Sequence, residues 1–141
     1  MITSAEIQLL QGLTEAPPKA VKLDACVLLY ARWFALEVPH TLIGGVSFDD
    51  SAPDEAKDWR KLVPEGEGSY GQAFRTTNPD DNVPLVKLVG DCGVARIHPS
   101  IYDVVLKTFT EPQFFVFPGK HSFVAIKSSG NVIGCVAQIK V

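Results

Sequence analysis

The sequence predicts an α+β fold in which two helices pack on a mostly antiparallel β-sheet. The clearest evidence follows His98, where an amphipathic helix begins at Pro99 and three apolar segments separated by short turns come after it. A second amphipathic pattern near the N-terminus predicts the other helix. Such helices and strands bury one face each against a shared core, and 141 residues are enough for one core. We therefore expect residues 1–141 to form a single domain.

The composition is that of an ordinary globular domain. Apolar residues make up 46% and charged residues 21% of the chain, and the formal net charge is −3. This charge does not indicate a nucleic-acid binder, although it leaves room for a local basic face. No run of 18 apolar residues occurs, and residues 1–6 lack the basic start of a signal peptide, so we expect a cytoplasmic protein without a membrane span. Three widely spaced cysteines are expected to be buried free thiols: Cys26, Cys92 and Cys135.

The N-terminal helix is expected over residues 3–15. Thr3 and Glu6 match a capping box, in which each side chain satisfies a backbone N–H of the other residue. Apolar residues then recur on one face as far as Leu13. Pro17 ends the helix because proline cannot donate the backbone hydrogen bond.

Strands are expected next. Residues 21–30 alternate in a way that predicts one strand with one buried face. Residues 31–38 continue this strand or turn back as a second one. A helix over residues 25–36 competes, because the run is apolar almost throughout, but the regular alternation and the following Pro39 favour strands. A further short strand is expected at residues 41–43.

The middle of the chain, residues 44–71, predicts a flexible surface loop rich in acidic residues and glycine. Its candidate acidic interaction residues are Asp49, Asp50, Asp54 and Glu55. Residues 78–82 form a cluster typical of a turn. Two strands are expected at residues 83–89 and 93–97, joined by a hairpin turn over residues 90–93.

The last third predicts a helix followed by a three-stranded meander. The helix is expected over residues 99–110, and Pro112 ends it. Its buried stripe is Ile101, Val104, Val105 and Phe109. The strands are expected at residues 113–117, 122–127 and 131–141. One face of the last strand should carry Ile133, Cys135, Ala137, Ile139 and Val141. No internal repeat is evident in the sequence.

No catalytic or metal-binding motif is evident. The histidines, His40, His98 and His121, are isolated, and neither Cys-x-x-Cys nor Gly-x-Ser-x-Gly occurs. The acidic residues of the middle loop do not match a calcium-binding loop. The glycine-rich residues 66–71 contain no lysine and follow no expected strand, and two glutamates would face a phosphate there. We therefore expect a protein that is not an enzyme and that uses no cofactor or metal.

One short segment joins an aromatic residue to two cations. Trp59 is followed by Arg60 and Lys61, and two interpretations are open. Trp59 could fix the loop to the core, because an aromatic side chain buries much apolar area. Alternatively, Arg60 and Lys61 could contact phosphates. The remaining lysines and arginines are scattered along the sequence.

Three segments resemble one protein family. Residues 58–64, Asp-Trp-Arg-Lys-Leu-Val-Pro, are similar to the P-D-W/Y-R-R-V-I/L-P segment of bacterial DNA polymerase III beta subunits, the sliding clamps, and especially to their phage and plasmid relatives. Residues 98–102, His-Pro-Ser-Ile-Tyr, resemble the N-P-x-Y-L segment that starts a helix in these proteins. Residues 134–141 resemble their closing strand. The resemblance covers about residues 58–141.

The resemblance implies a clamp-type domain whose helices face double-stranded DNA. Such a protein performs no covalent chemistry. The resemblance therefore implies a non-enzymatic processivity or scaffold protein that works with replication proteins and forms a homo-oligomer. The implied DNA or partner contacts are Trp59, Arg60, Lys61 and Lys107. The expected helices are poor in basic residues, however, because the first has none and the second has only Lys107.

A second hypothesis is a small phage-encoded module that binds and inhibits a host nucleic-acid-handling complex. The acidic loop would supply one contact. An exposed edge strand such as residues 113–117 would supply another, by pairing with a partner or with a second copy.

Overall fold

The computed structural model describes residues 2–10, 18–49, 54–64, 66, 68–119 and 123–139. The helices are α1 (Ser4–Leu9), α2 (Asp54–Lys57) and α3 (Pro99–Thr108), with 3-10 helices at His40–Leu42 and Trp59–Leu62. The strands are β1 (Lys19–Lys22), β2 (Val27–Ala31), β3 (Phe34–Val38), β4 (Ser69–Tyr70), β5 (Gln72–Thr77), β6 (Pro84–Gly90), β7 (Gly93–Ile97), β8 (Gln113–Val116), β9 (Phe123–Ser128) and β10 (Asn131–Ala137). The expected α+β fold is therefore confirmed: the sheets are antiparallel, and α1 and α3 are the two helices that were expected.

The larger sheet has seven strands in the order β1-β2-β3-β10-β9-β8-β4. Apart from β4 at one end, its order is symmetric about the pair β3 and β10, which meet at Ala35 and Cys135. On one side, α1 leads into the meander β1-β2-β3; on the other, α3 leads into β8-β9-β10. Each helix is preceded by a fully buried isoleucine, Ile2 or Ile97. The chain therefore contains a structural repeat of a helix and three strands.

A smaller sheet, β5-β6-β7, is joined to the larger one at both ends. At one end, β4 leads directly into β5, and the Gly71 N–H donates to the Phe114 carbonyl of β8 at 2.8 Å. At the other end, the chain after β10 reaches β7, where the Ile139 N–H donates to the Arg96 carbonyl at 2.7 Å. The strand β5 was not expected, whereas β6, β7 and the turn between them confirm the predicted hairpin.

Two apolar clusters lie on opposite faces of the larger sheet. The main cluster includes Leu36 of β3, buried side chains of α1 and α3, and the inner face of the smaller sheet. The second cluster lies under the neighbouring residue Ala35 and includes Ala56 and Trp59. Because successive side chains of a strand point to opposite faces, α1 and α3 cover one face and residues 54–63 cover the other.

The two expected helices form, with shorter bounds. The capping box of α1 is confirmed, because the Thr3 side chain accepts from the Glu6 N–H and the Glu6 carboxylate accepts from the Thr3 N–H. This helix ends at Leu9, and the rest of its expected span, residues 11–15, lies outside the described residues. Helix α3 has Pro99 at its first position as predicted and ends at Thr108. Most of its expected stripe is buried: Ile101, Val104 and Val105.

The prediction of a single strand over residues 21–30 is wrong. Two strands, β1 and β2, form a hairpin there, closed by the Leu23 N–H donating to the Cys26 carbonyl at 2.8 Å. The alternation was misleading because β2 is buried on both faces, so an apolar run continues through the strand. The competing helix over residues 25–36 does not form. Residues 34–38 turn back as a second strand, which was one of the two expected alternatives.

Three smaller expectations also need correction. Residues 40–42 form a 3-10 helix in place of the expected strand. The middle segment, expected to be a loop that lies mostly at the surface, contains α2, a 3-10 helix and β4, and its Ala56 and Trp59 are buried. In β10 the register shifts between Val132 and Gly134, so that Ile133 packs on the main cluster while Cys135 belongs to the second. This irregularity separates two residues that simple alternation had placed on one face.

Candidate functional site

The predicted contact residues do not form one surface. Trp59, Arg60 and Lys61 lie in the 3-10 helix that covers one face of the larger sheet. Lys107 lies on α3, which covers the opposite face. A single DNA duplex lying against one side of this sheet therefore cannot contact all of them.

Trp59 is a structural residue in this arrangement. Its side chain is 2% exposed, and its indole Nε1–H donates to Glu37 Oε1 at 3.2 Å. The interpretation that Trp59 fixes the middle segment to the core agrees with this position. A ring buried to this extent cannot stack on a ligand unless the segment moves away from the sheet.

Arg60 and Lys61 are already paired within the chain. The Arg60 guanidinium donates to both carboxylate oxygens of Glu37, at 3.1 and 3.2 Å, and to the Val132 carbonyl at 2.9 Å. It also lies over the Trp59 ring, 4.4 Å from the centroid. Lys61 lies 3.5 Å from Asp58 and is the more accessible of the two cations. A phosphate would therefore have to displace Glu37 from Arg60.

Lys107 is also paired, with the first helix. Its Nζ lies 2.8 Å from Glu6 Oε1, and this contact holds the pKa of Glu6 below its usual value. The accessible apolar side chains on the same helices include Leu9, 70% exposed, and Leu106. The helix layer therefore presents neutralised charges and leucines in place of the basic surface that a DNA-facing layer would need.

The acidic loop falls largely outside the described residues. The Asp49 N–H donates to the Ala20 carbonyl at 2.8 Å, which places this residue beside β1. Asp50 is outside the described residues, and only the backbone of Asp54 and Glu55 is described, at the start of α2. The role predicted for these carboxylates stays a prediction.

The prediction that residues 113–117 form an open edge strand is wrong. It forms β8, which lies between β9 and β4, with Ser69 opposite Val116. The first strand of the smaller sheet, β5, has no strand on its outer side along residues 72–77 in the described part of the chain. This open edge was missed because the alternation of β5 is weak and most of its residues are polar or exposed.

A second surface was also missed, the outer face of the smaller sheet. Phe74 lies opposite Lys87, and Lys87 lies opposite Arg96, so that an aromatic side chain and two cations form a row across three strands. Val89 and Val94 form the neighbouring exposed pair. The sequence signal was weak, because Lys87 and Arg96 are single cations within the apolar runs of β6 and β7. The register that joins the row comes only from the fold.

The cysteines are held in structural positions. Burial raises the pKa of Cys135 to about 12, and burial together with the nearby Glu37 raises the pKa of Cys26. The Cys92 thiol donates to the Val116 carbonyl at 3.1 Å and lies 3.0 Å from Ser69 Oγ. All three thiols are free. Raised pKa values leave little thiolate at neutral pH, so Cys26 and Cys135 are poor nucleophiles.

Comparison with known proteins gives no relative: no protein-family model, no curated protein and no solved structure matches this chain. Among the described residues, no group of three or more His, Cys, Asp or Glu side chains is placed to hold a metal ion. None of the helices in the described ranges has the length and apolar character needed to cross a membrane.

Proposed function

We propose that this protein is a non-enzymatic accessory of DNA replication, a clamp-like processivity or scaffold domain of phage or plasmid type. The observation that carries the proposal is the architecture: α1 and α3 lie together on one face of an antiparallel sheet whose strand order, apart from β4, is symmetric about β3 and β10. This is the arrangement of two helices backed by sheet that the resemblance of residues 58–141 implies.

A clamp-like domain binds DNA through phosphates without reading bases, so its affinity falls steeply with salt. One domain cannot enclose a duplex, and several copies must assemble. The ion pairs of Lys107 with Glu6 and of Arg60 with Glu37 weaken attraction to phosphates at the residues first expected to contact DNA. DNA contact by this protein must therefore involve other cations or rearranged pairs.

The test measures the mass of the protein in solution by light scattering, with and without a fluorescent DNA duplex, at low and high salt. We expect an oligomer that retains the duplex at low salt and releases it at high salt. Lys107→Met is the matched variant, because it removes the cation of the helix layer and leaves the aliphatic stem. A strict monomer at high concentration that retains no duplex at low salt contradicts the proposal.

A second candidate is a module that binds a host nucleic-acid-handling complex and inhibits it, and the open edge of β5 favours it. The Asn78 N–H donates to the Val83 carbonyl at 2.8 Å, and Pro84, opposite Thr77, has no N–H to donate. Hydrogen-bonded and non-hydrogen-bonded pairs alternate in an antiparallel ladder. The backbone groups of Ala73, Arg75 and Thr77 therefore point away from β6.

An open edge of this kind can accept an extended segment of a partner as an additional strand. Other edges are less available in the described part of the fold: Asp49 lies beside β1, Ile139 lies beside β7, and β4 is two residues long. The edge of β5 is therefore the best candidate for pairing with a partner strand.

A proline scan distinguishes this candidate from binding through the acidic loop. Thr77→Pro removes an N–H that points outward, so the domain should fold and lose a partner that binds along the edge. Thr76→Pro is the control, because it removes a bond to β6 and should destabilise the sheet. Neutralising Asp49, Asp50, Asp54 and Glu55 tests the loop. Partner capture that survives Thr77→Pro and is lost on neutralisation excludes the edge.

A further inference from the structure

We infer that the outer face of the smaller sheet binds single-stranded nucleic acid. This face, called here the outer sheet face, consists of Phe74 of β5, Lys87 and Val89 of β6, and Val94 and Arg96 of β7. The inference rests on the proposed association with DNA for its class of ligand. It places the contact on a surface that contains neither of the long helices.

The direction of these side chains follows from the buried residues between them. Val86 and Leu88 of β6 are fully buried in the main cluster, as is Ile97 of β7. Since side chains alternate along a strand, Lys87 and Arg96 point to the other side of the sheet. Residues directly opposite each other in an antiparallel pair have Cβ atoms about 5 Å apart, so Phe74, Lys87 and Arg96 form a continuous row.

The two cations of this row are unpaired among the described residues, unlike four cations on other surfaces. Four cations are paired with carboxylates: Arg60, Lys61, Arg75 and Lys107. Lys87 and Arg96 form no ion pair with any carboxylate of the described residues, although they lie opposite each other. Like charges in that position destabilise a sheet. An anion bound between them removes this repulsion, and a phosphate of a nucleic acid is such an anion.

The apolar part of the face indicates which form of nucleic acid fits. Phe74 is 48% exposed, Val94 is 45% exposed, and Val89 lies opposite Val94. An exposed aromatic ring beside cations provides a surface on which an unpaired base stacks while the phosphates meet the cations. In a duplex the bases are already stacked on each other and are not available to Phe74. Charge complementarity together with the exposed ring therefore favours a single strand.

The test is binding of a fluorescein-labelled oligothymidylate of about 15 nucleotides, measured by fluorescence anisotropy at low salt, since single-strand sites span about 4–16 nucleotides. We expect Phe74→Ala to weaken binding about tenfold, as the loss of one stacked base predicts. The double variant Lys87→Ala with Arg96→Ala should weaken binding and reduce the slope of log affinity against log salt by about 1.4, for two phosphate contacts.

Matched controls remove similar side chains from other surfaces. Lys22→Ala deletes an exposed cation of β1, the strand at one end of the larger sheet, and Leu9→Ala deletes an exposed apolar side chain of α1. Neither should change oligothymidylate binding by more than about twofold. An oligouridylate of the same length tests whether RNA is bound as well as DNA. The variants alter exposed or partly exposed positions, and circular dichroism checks that the fold is unchanged.

Oligothymidylate affinity that is unaffected by both Phe74→Ala and the double variant overturns the inference. An equal loss of affinity in the Lys22→Ala control would show that the binding is general charge attraction, and this result would also overturn the inference. If wild-type protein self-associates, binds no oligonucleotide and becomes monomeric on Phe74→Ala, the face is a contact between copies. Retention of duplex DNA in the light-scattering experiment would leave the proposed function standing in each of these cases.

Discussion

The indole N–H of Trp59 donates to Oε1 of Glu37 at 3.2 Å, and this bond attaches the middle of the chain to the larger sheet. The same carboxylate accepts from Arg60. Because Glu37 lies on β3 and Arg60 also reaches the Val132 carbonyl near the start of β10, the segment spans the centre of the sheet. A stretch with the composition of a surface loop therefore closes the second apolar cluster.

Trp59→Ala should lower the free energy of unfolding by about 3–5 kcal/mol, because it removes a large buried ring and leaves a cavity under the segment. Trp59→Phe should cost less, since it keeps most of the apolar contact and loses the bond to Glu37. Urea denaturation followed by circular dichroism measures both. Lys61→Ala, in the same 3-10 helix, is the control and should stay within about 0.5 kcal/mol of wild type. Equal stability of Trp59→Ala and the control would show that the segment does not support the core.

The elements that the sequence predicted well are those whose signals are local. Pro99 at a helix start, the capping box of Thr3 and Glu6, and the turns of the last meander each depend on residues adjacent in the chain. The prediction of one strand at residues 21–30 failed because β2 is buried on both faces. Burial on both faces depends on which elements pack above and below the strand. The repeat about β3 and β10 is a property of strand order, and nothing in the two halves of the sequence reveals it.

The candidate sites were less predictable than the fold. The sequence singled out Arg60 and Lys107 by residue type, but it could not show that Glu37 and Glu6, distant in the chain, would neutralise them. The row of Phe74, Lys87 and Arg96 was not predicted, because the register of three strands brings these residues together. Surface chemistry formed by register cannot be inferred from spacing along one strand.

Glu6→Gln should lower the free energy of unfolding by about 0.5–1 kcal/mol at neutral pH, because it breaks a partly exposed ion pair with Lys107. The variant should also change the dependence on acid. Lys107 lowers the pKa of Glu6 in the folded state, so this contribution is present above the ordinary glutamate pKa and is lost as pH falls through the folded value. Denaturation of wild type and Glu6→Gln should therefore converge in acid.

A double-mutant cycle checks that the effect belongs to this pair. Lys107→Met alone should destabilise by a similar amount, and the combination with Glu6→Gln should cost less than the sum of the two. Additive losses would show that Glu6 acts through the capping box with Thr3 alone. The capping contribution is then measured separately by Thr3→Ala.

His98 should make the protein less stable in mild acid. Its Nδ1 accepts the Ser100 N–H at 3.2 Å and so caps α3, which requires this nitrogen to be unprotonated. Burial lowers the pKa of His98 in the folded state, so the unfolded chain takes up a proton first as pH falls. Stability is therefore full above about 6.5, the ordinary histidine pKa, and declines as pH falls through the folded value.

His98→Asn separates the cap from the titration, since asparagine caps helices well and does not titrate. We expect this variant to stay near wild-type stability at neutral pH and to lose less stability as pH falls below about 6.5, the ordinary histidine pKa. Thermal melts across this range measure the difference. An unchanged slope in His98→Asn would assign the pH dependence to other groups.

Gly134→Ala should be strongly destabilising, because this glycine lies opposite Leu36 in the central β3–β10 pair. A Cβ atom at this position would collide with the Ala35 carbonyl oxygen and lie 3.2 Å from the Leu36 Cα. Both are backbone atoms and cannot move without parting the two strands, so we expect a loss of about 2–3 kcal/mol in the free energy of unfolding.

Gly93→Ala is the matched control, because a Cβ there meets its nearest neighbour, the Phe117 carbonyl oxygen, at 3.4 Å. Urea denaturation of both variants measures the difference. Equal stability of the two variants would contradict this prediction. It would mean that β3 and β10 can move apart without loss of stability, so that their close approach at Gly134 is not required.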